Sequence, residues 1–144
     1  TAKTLKEAGH EVSIVEASDV IGGTFENKRY KDGRMVSSKY LSCFSDFRRP
    51  DAEMHMTLKD YVVYLQDYSA HFGLTELIRF NVKVIHVQKG SNSVDAYDVT
   101  LQRDGDDSHP YVEVWDAVAV CSGLHNVPRI PMFPGQQHFL GQIL

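Results

Sequence analysis

Glu11-Val12-Ser13-Ile14-Val15-Glu16 is followed, six residues after its last carboxylate, by Gly22-Gly23-Thr24-Phe25. Val12, Ile14 and Val15 make the first stretch read as a buried parallel strand. Before it, Leu5 and Ala8 fall on one face of a short helical stretch, and Gly9 can take the left-handed conformation that ends it. A helix, a two-residue link, a strand with an acidic end and a glycine pair form, in that order, the second half of a βαβ nucleotide fold. The expected first strand and its G-x-G-x-x-G turn would stand immediately before Thr1.

Outward from this unit, residues 17–56 hold no period for long and are rich in Gly, Ser, Lys, Asp and Pro. A stretch this long without regular structure is expected to line a site or wrap a ligand. Phe25, Tyr30, Tyr40, Phe44 and Phe47 mark it as ordered rather than as a linker. Thr57 then caps a helix, with Asp60 three residues on. Leu58, Tyr61, Val62, Leu65, Tyr68 and Phe72 form its core face, and Gly73 stops it. Three β segments follow, at residues 78–89, 96–103 and 111–121. The turns between them carry Gly90-Ser91-Asn92 and Asp104-Gly105-Asp106, which predicts an antiparallel meander. Ala117-Val118-Ala119-Val120-Cys121 is an apolar run expected to rejoin the central sheet, with Pro128, Pro131 and Pro134-Gly135 stiffening the exit.

Hydrophobic residues make up 42% of the 144 and charged residues 24%, which suits one packed core and excludes a disordered chain. A net charge of −4 without a basic cluster argues against nucleic acid, because phosphate neutralisation needs grouped Lys and Arg. Lys28, Arg29, Lys31 and Arg34 are interrupted by Asp32, follow Glu26, and read as a solvated loop face. No apolar run reaches the roughly eighteen residues of a membrane-spanning helix. Cys43 and Cys121 lie far apart without C-x-x-C or metal-ligand spacing, which points to a reducing compartment, read as cytoplasmic, with no metal site. Cys121 reads as a buried small hydrophobe rather than a nucleophile. Ser, His and Asp are plentiful, but no G-x-S-x-G elbow occurs, and Asp106-Asp107 reads as a solvated turn pair.

The candidate binding residues follow from this order. Glu16 ends the second strand, where nucleotide folds place a carboxylate that accepts hydrogen bonds from an adenosine ribose. An acidic group there disfavours a 2′-phosphate, so FAD or NAD suits it better than NADP. Gly22-Gly23 lets backbone approach a pyrophosphate or flavin with no Cβ in the way. Ser122-Gly123 would close a sheet strand at its carboxyl end, where such folds bind ligands.

Taken together, the series resembles the flavin-containing monooxygenase family over essentially the whole chain. It runs from Glu16 through Ile21-Gly22-Gly23-Thr24-Phe25 and Ser37-Ser38-Lys39 to Cys43-Phe44-Ser45-Asp46-Phe47 with Pro50 behind. The helix with Tyr61 and Phe72, the meander with Phe80 and Val84, and Val120-Cys121-Ser122-Gly123-Leu124-His125 complete it. Phe139-Leu140-Gly141-Gln142-Ile143-Leu144 is similar to the first six positions of the family fingerprint F-x-G-x-x-x-H-x-x-x-[YF]. The wording from Ser37 to Arg48 looks most like fungal-type members.

The resemblance implies an α/β fold: a partial FAD-binding, Rossmann-like, three-layer ββα domain over residues 1–144 with an antiparallel meander, lacking the first strand and Gly-rich loop. An NADPH-binding domain is expected after residue 144. Glu16 would bind the FAD ribose. Gly22, Gly23, Thr24 and Phe25 would lie along the pyrophosphate and flavin. Backbone at Val84 would meet the adenine, Ser37 and Ser38 would lie near the isoalloxazine and nicotinamide, and Ser122 and Gly123 would stand beside the cofactor. NADPH would reduce FAD, which would take up oxygen as a flavin hydroperoxide and pass it to a small-molecule nitrogen or sulfur nucleophile.

Two positions depart from the family pattern. Many members carry Asn just before the Ser-Ser step, where this chain has Val36, which donates no hydrogen bond. Phe25 stands where Trp is frequent. Val36 favours a second possibility, a flavin oxidase or reductase relative that does not oxygenate; no C-x-x-C pair supports the disulfide-reductase version. A third is a non-catalytic nucleotide-binding remnant. The 144 residues alone are expected to be inactive.

Overall fold

The computed structural model describes residues 1–90, 95–105, 109–124 and 129–142. Ser91, Asn92, Asp106, Asp107, His125, Pro128, Ile143 and Leu144 lie outside the described residues. Helix α1 spans Ala2–Glu7 and ends with Gly9 at φ +84, whose N–H donates to Lys6 O while His10 N–H donates to Leu5 O. This double closure satisfies the last carbonyls of the helix. Strand β1 is Ile14–Val15, shorter than the 11–16 stretch predicted. It pairs in parallel with β2, Ile78–Arg79, through Ile14 to Ile78 and Val15 to Arg79. Both β1 residues are half-buried rather than buried. A strand extends only as far as a neighbour accepts and donates its hydrogen bonds, and among the described residues β1 has β2 alone.

Residues 17–56 are more structured than their composition suggests. They contain α2, Thr24–Asn27, and α3, Lys39–Ser42, together with an antiparallel bridge between Arg34 and Thr57. Met35 N–H donates to Met56 O at 2.8 Å and Lys39 N–H to Met54 O at 2.7 Å, while Lys39 Nζ reaches the carbonyls of Pro50 and Ala52. One lysine thus gathers the carbonyls of a loop that no ladder organises.

Helix α4 spans Leu58–His71. Thr57 Oγ1 accepts the Asp60 N–H at 3.0 Å, as an N-cap should, and Gly73 at φ +60 closes the other end, with Leu74 N–H donating to Ser69 O. The predicted core face is only partly right. Val62 is buried, but Tyr64, at the edge of that face and left out of it, has no exposed surface, and Ser69 is buried as well. The reason is that α4 is covered on two sides. Val62 stands against Gly22, at the entry to α2, while Tyr64 packs with Cys43 and Met56, against which Met35, Phe47, Ala52, Tyr61 and Leu65 lie.

The predicted meander is present: β3 (Val82–Lys89), β4 (Tyr97–Arg103) and β5 (Tyr111–Trp115) form an antiparallel sheet in that order. Its inner face buries Val82, Val99 and Leu101 against Val15, Tyr97, Tyr111, Trp115 and Val118. The 78–89 segment is broken at Asn81, which takes φ +56 and turns the chain from the parallel sheet into the meander. The third segment ends at Trp115, so the expected strand through 117–121 does not form among the described residues, and Val120 is 80% exposed. An apolar run needs a neighbouring strand as well as apolarity, and none is hydrogen-bonded to it among the described residues.

Arg79 of β2 and Glu113 of β5 join the two sheets through a bidentate pair, 2.6 and 2.9 Å, and Trp115 Nε1–H donates to the same carboxylate. Arg79 and the indole donor hold the Glu113 carboxyl below its ordinary pKa. The stability this pair contributes is therefore present above the unfolded-state value, about 4.3, and is lost as pH falls through the depressed folded value. Partial exposure screens the pair, so its loss is expected to cost about 1 kcal/mol. Urea midpoints measured from pH 7 to pH 2 should fall less steeply in Glu113→Gln than in the parent chain; parallel curves would remove this account.

Candidate functional site

Glu16 stands one residue beyond β1, at its carboxyl end. Its N–H donates to Arg79 O at 3.1 Å and its carbonyl accepts the Val82 N–H at 3.0 Å, so its backbone is pinned between β2 and β3. The Glu16 side chain is half-buried, and Oε1 accepts both the N–H and the hydroxyl of Ser18 at 2.8 Å. Among the described residues, Oε2 accepts no hydrogen bond. Val84 lies two residues along β3 from the Val82 contact, is 41% exposed, and borders a bulge where the β3–β4 register shifts before His86. Bulges re-aim a strand and interrupt its ladder, which gives the backbone here groups not committed to a neighbour.

Gly22 has φ +139, and a Cβ there would stand 2.9 Å from Glu26 Cβ and 3.1 Å from Val62 Cγ2. The missing side chain lets the turn lie directly on α4. Gly23 differs: it is exposed, and nothing stands within 4 Å of where its Cβ would be. Its backbone is thus open to the approach of a flat or anionic group. Thr24 and Phe25 begin α2; Thr24 is exposed, and Phe25 sets its ring edge-on to Tyr61 at 4.9 Å.

Ser37 and Ser38 precede α3. Ser37 Oγ lies 2.8 Å from Ser42 Oγ, and Ser38 N-caps the helix without a side-chain bond. Beside them Val36 is 97% exposed, an apolar side chain with almost no protein contact. Phe44 N–H donates to the Tyr64 hydroxyl at 2.6 Å, which fastens the end of α3 to α4, and burial pushes that hydroxyl up to about 12. One helix, α4, therefore supports the Gly22–Phe25 turn through Val62 and Tyr61 and, through Tyr64, the Cys43–Phe44 end of the short helix that Ser37 and Ser38 precede.

Ser122 and Gly123 are not at the end of a sheet strand among the described residues. Both are exposed, Gly123 at φ +75 with open space beside it. Cys121, expected to be buried, is exposed, because the strand that would have covered it is not formed; Cys43 is the buried cysteine. Phe139 and Gly141 fold on each other, a Gly141 Cβ falling 2.5 Å from the Phe139 ring.

Sequence reasoning missed Ser18, Asn81 and Tyr64, and quoted Lys39 only within the Ser37-Ser38-Lys39 run without its role in gathering the loop carbonyls. Ser18 carries a local signal, a hydroxyl two residues after a strand-end carboxylate. Tyr64 is legible in the Tyr61, Tyr64, Tyr68 spacing of i, i+3 and i+7. Nothing local marks Asn81 or Lys39, whose partners lie far along the chain.

The residues present suit a dinucleotide bearing an unphosphorylated ribose: a carboxylate held at the end of a parallel strand, with one oxygen uncommitted among the described residues, and an open glycine backbone after it. The family model described as flavin-binding monooxygenase-like matches residues 2–144. The monooxygenase ptmN of Penicillium ochrochloron is 39% identical over 128 residues, covering 87% of this chain and 20% of that protein. Dimethylaniline monooxygenase (N-oxide-forming) 2 of Cavia porcellus is 34% identical over 154 residues, 97% of this chain and 28% of its own length. The chain thus spans a fifth to just over a quarter of these curated relatives. Among solved structures, S-allyl-L-cysteine S-oxygenase from Allium sativum superposes with a TM-score of 0.84 at 21% identity, covering 98% of this chain and 37% of that one. OTEMO in complex with FAD and NADP gives 0.75 at 22% identity, covering 98% and 26%. At such identities these two likenesses show the fold alone.

Proposed function

This chain belongs to the flavin-binding monooxygenase-like family, and from that membership we propose that it is the FAD-facing part of an FAD- and NADPH-dependent monooxygenase acting on soft nitrogen or sulfur nucleophiles. The observation that carries this is the Glu16 carboxylate, held at the end of β1 and followed by the open Gly23 backbone. Its architecture is then a partial Rossmann-like, three-layer ββα FAD domain over residues 1–144, with NADPH bound by a further domain. When bound, reduced FAD supplies the activation of molecular oxygen, chemistry no side chain provides.

The chain's own residues bind, orient and exclude water. Glu16 accepts the ribose hydroxyls. Gly22, Gly23, Thr24 and Phe25 run along the pyrophosphate and flavin, with the aromatic edge of Phe25 backed by Tyr61. Backbone near Val84 serves the adenine, Ser37 and Ser38 the ring system, and Ser122 and Gly123 a later part of the cofactor. Among the described residues no helix is long and apolar enough to cross a membrane. A reducing, cytoplasmic setting fits the two free cysteines. By themselves the 144 residues are proposed to be inactive, since they span so small a share of the relatives.

Val36 favours a second reading, a flavin oxidase or reductase relative: its side chain is 97% exposed and has no donor with which to steady an oxygen adduct. The test uses the longer protein that contains these residues, incubated with NADPH, oxygen and a thioether or tertiary amine. Stoichiometric FAD and one oxygenated product per NADPH consumed support the monooxygenase. NADPH oxidation that yields only hydrogen peroxide supports the oxidase, and failure to retain FAD defeats both.

A further inference from the structure

Glutamate has a flexible side chain, so a strand-end Glu recognises a ribose well only if something fixes its carboxylate beforehand. At Glu16 that something is on the page. Ser18 brings its N–H and its hydroxyl to the same oxygen, Oε1, both at 2.8 Å. The hydroxyl has one proton and two acceptors within reach, Oε1 and, at 2.9 Å, the Val20 carbonyl. The ionised carboxylate is the stronger acceptor of the two. Ser18 is itself held: Asn81 N–H donates to its carbonyl at 3.0 Å, and Asn81 O accepts the Asp104 N–H at 2.8 Å. Asn81 makes this reach from φ +56, a conformation asparagine adopts more readily than most residues. The corner between β2 and β3 therefore grips the chain just after β1, and Ser18 passes that rigidity to the carboxylate.

We propose that Ser18 is a positioning residue for the adenosine end of the cofactor, committing Glu16 Oε1 so that Oε2 is left as the ribose acceptor. This rests on the reading that the chain binds FAD. Ser18 touches no cofactor atom in this role; it acts through Glu16.

The experiment titrates the FAD-free form of the longer protein with FAD and with FMN, which lacks the adenosine, following flavin fluorescence. Ser18→Ala is expected to weaken FAD about tenfold, the size of a lost hydrogen bond to a charged group, and to leave FMN unchanged. Ser18→Thr, which keeps the hydroxyl, should restore FAD affinity. Glu16→Ala combined with Ser18→Ala should bind no more weakly than Glu16→Ala alone, since Ser18 works only through that side chain and alanine leaves no oxygen for it to hold. Equal losses for FAD and FMN, failure of Ser18→Thr to rescue, or additivity of the two substitutions would overturn the role. If Glu16→Ala weakens FAD and Ser18→Ala does not, Ser18 alone loses its assignment; if the parent protein binds no FAD, the function falls and this role with it.

Discussion

Replacing Tyr64 with alanine is expected to lower the stability of this chain by about 3–5 kcal/mol, the range for truncating a fully buried aromatic. Tyr64 has no exposed surface and packs with Cys43 and Met56. Its ring lies 5.8 Å from those of Tyr61 and Phe47 and 6.1 Å from that of Phe44. Truncation would leave a cavity bordered by the 35–56 loop, which has few ladder bonds with which to collapse around it. Tyr64→Phe separates the hydroxyl from the ring. It removes only the bond from Phe44 N–H, and because Phe44 is 45% exposed, water can replace that acceptor; a loss of about 1 kcal/mol is expected. Urea unfolding followed by tyrosine fluorescence and circular dichroism would measure both. A Tyr64→Ala midpoint equal to that of the parent would show that the loop and α4 do not share a core.

The second large effect is expected at Gly22. A methyl group there meets Glu26 Cβ at 2.9 Å and Val62 Cγ2 at 3.1 Å, and the backbone sits at φ +139, which L side chains rarely adopt. Gly22→Ala must therefore either strain the turn, at about 1–3 kcal/mol, or push α2 away from α4. Either outcome moves the turn that is proposed to meet the pyrophosphate, and in the longer protein FAD affinity should drop by more than tenfold. Gly23→Ala is the internal control. Its Cβ would meet nothing, so only the backbone cost of holding an L residue at φ +51 and ψ −127, outside the left-handed helical well, applies, about 1–3 kcal/mol. If the two substitutions destabilise equally, the close approach of Gly22 to Val62 is not what requires glycine there.

Much of this was readable locally. The ends of α1 and α4 are written in Gly9 and Gly73, the start of α4 in Thr57 and Asp60, and the meander in alternating apolar residues interrupted by turn-forming ones. Each of these is a property of neighbours within about one turn or one hairpin, which is the range over which periodicity and capping act. Glu16 and Gly22-Gly23 were likewise identifiable from order and spacing.

What the sequence determined by itself, then, was the end of α1 and the extent of α4, the antiparallel order of β3, β4 and β5, and the family to which the chain belongs. Tertiary structure decided where β1 stops, why residues 117–121 are not a strand, and why Tyr64 rather than Leu58 or Tyr68 is the fully buried residue of α4. It also decided that Asn81, far along the chain, grips Ser18 beside the Glu16 carboxylate. The physical reason is common to all four. A ladder partner, a second packed face and a hydrogen bond across a chain corner come from residues distant in sequence, and apolarity or hydroxyl content at one position carries no record of which distant group will stand opposite it.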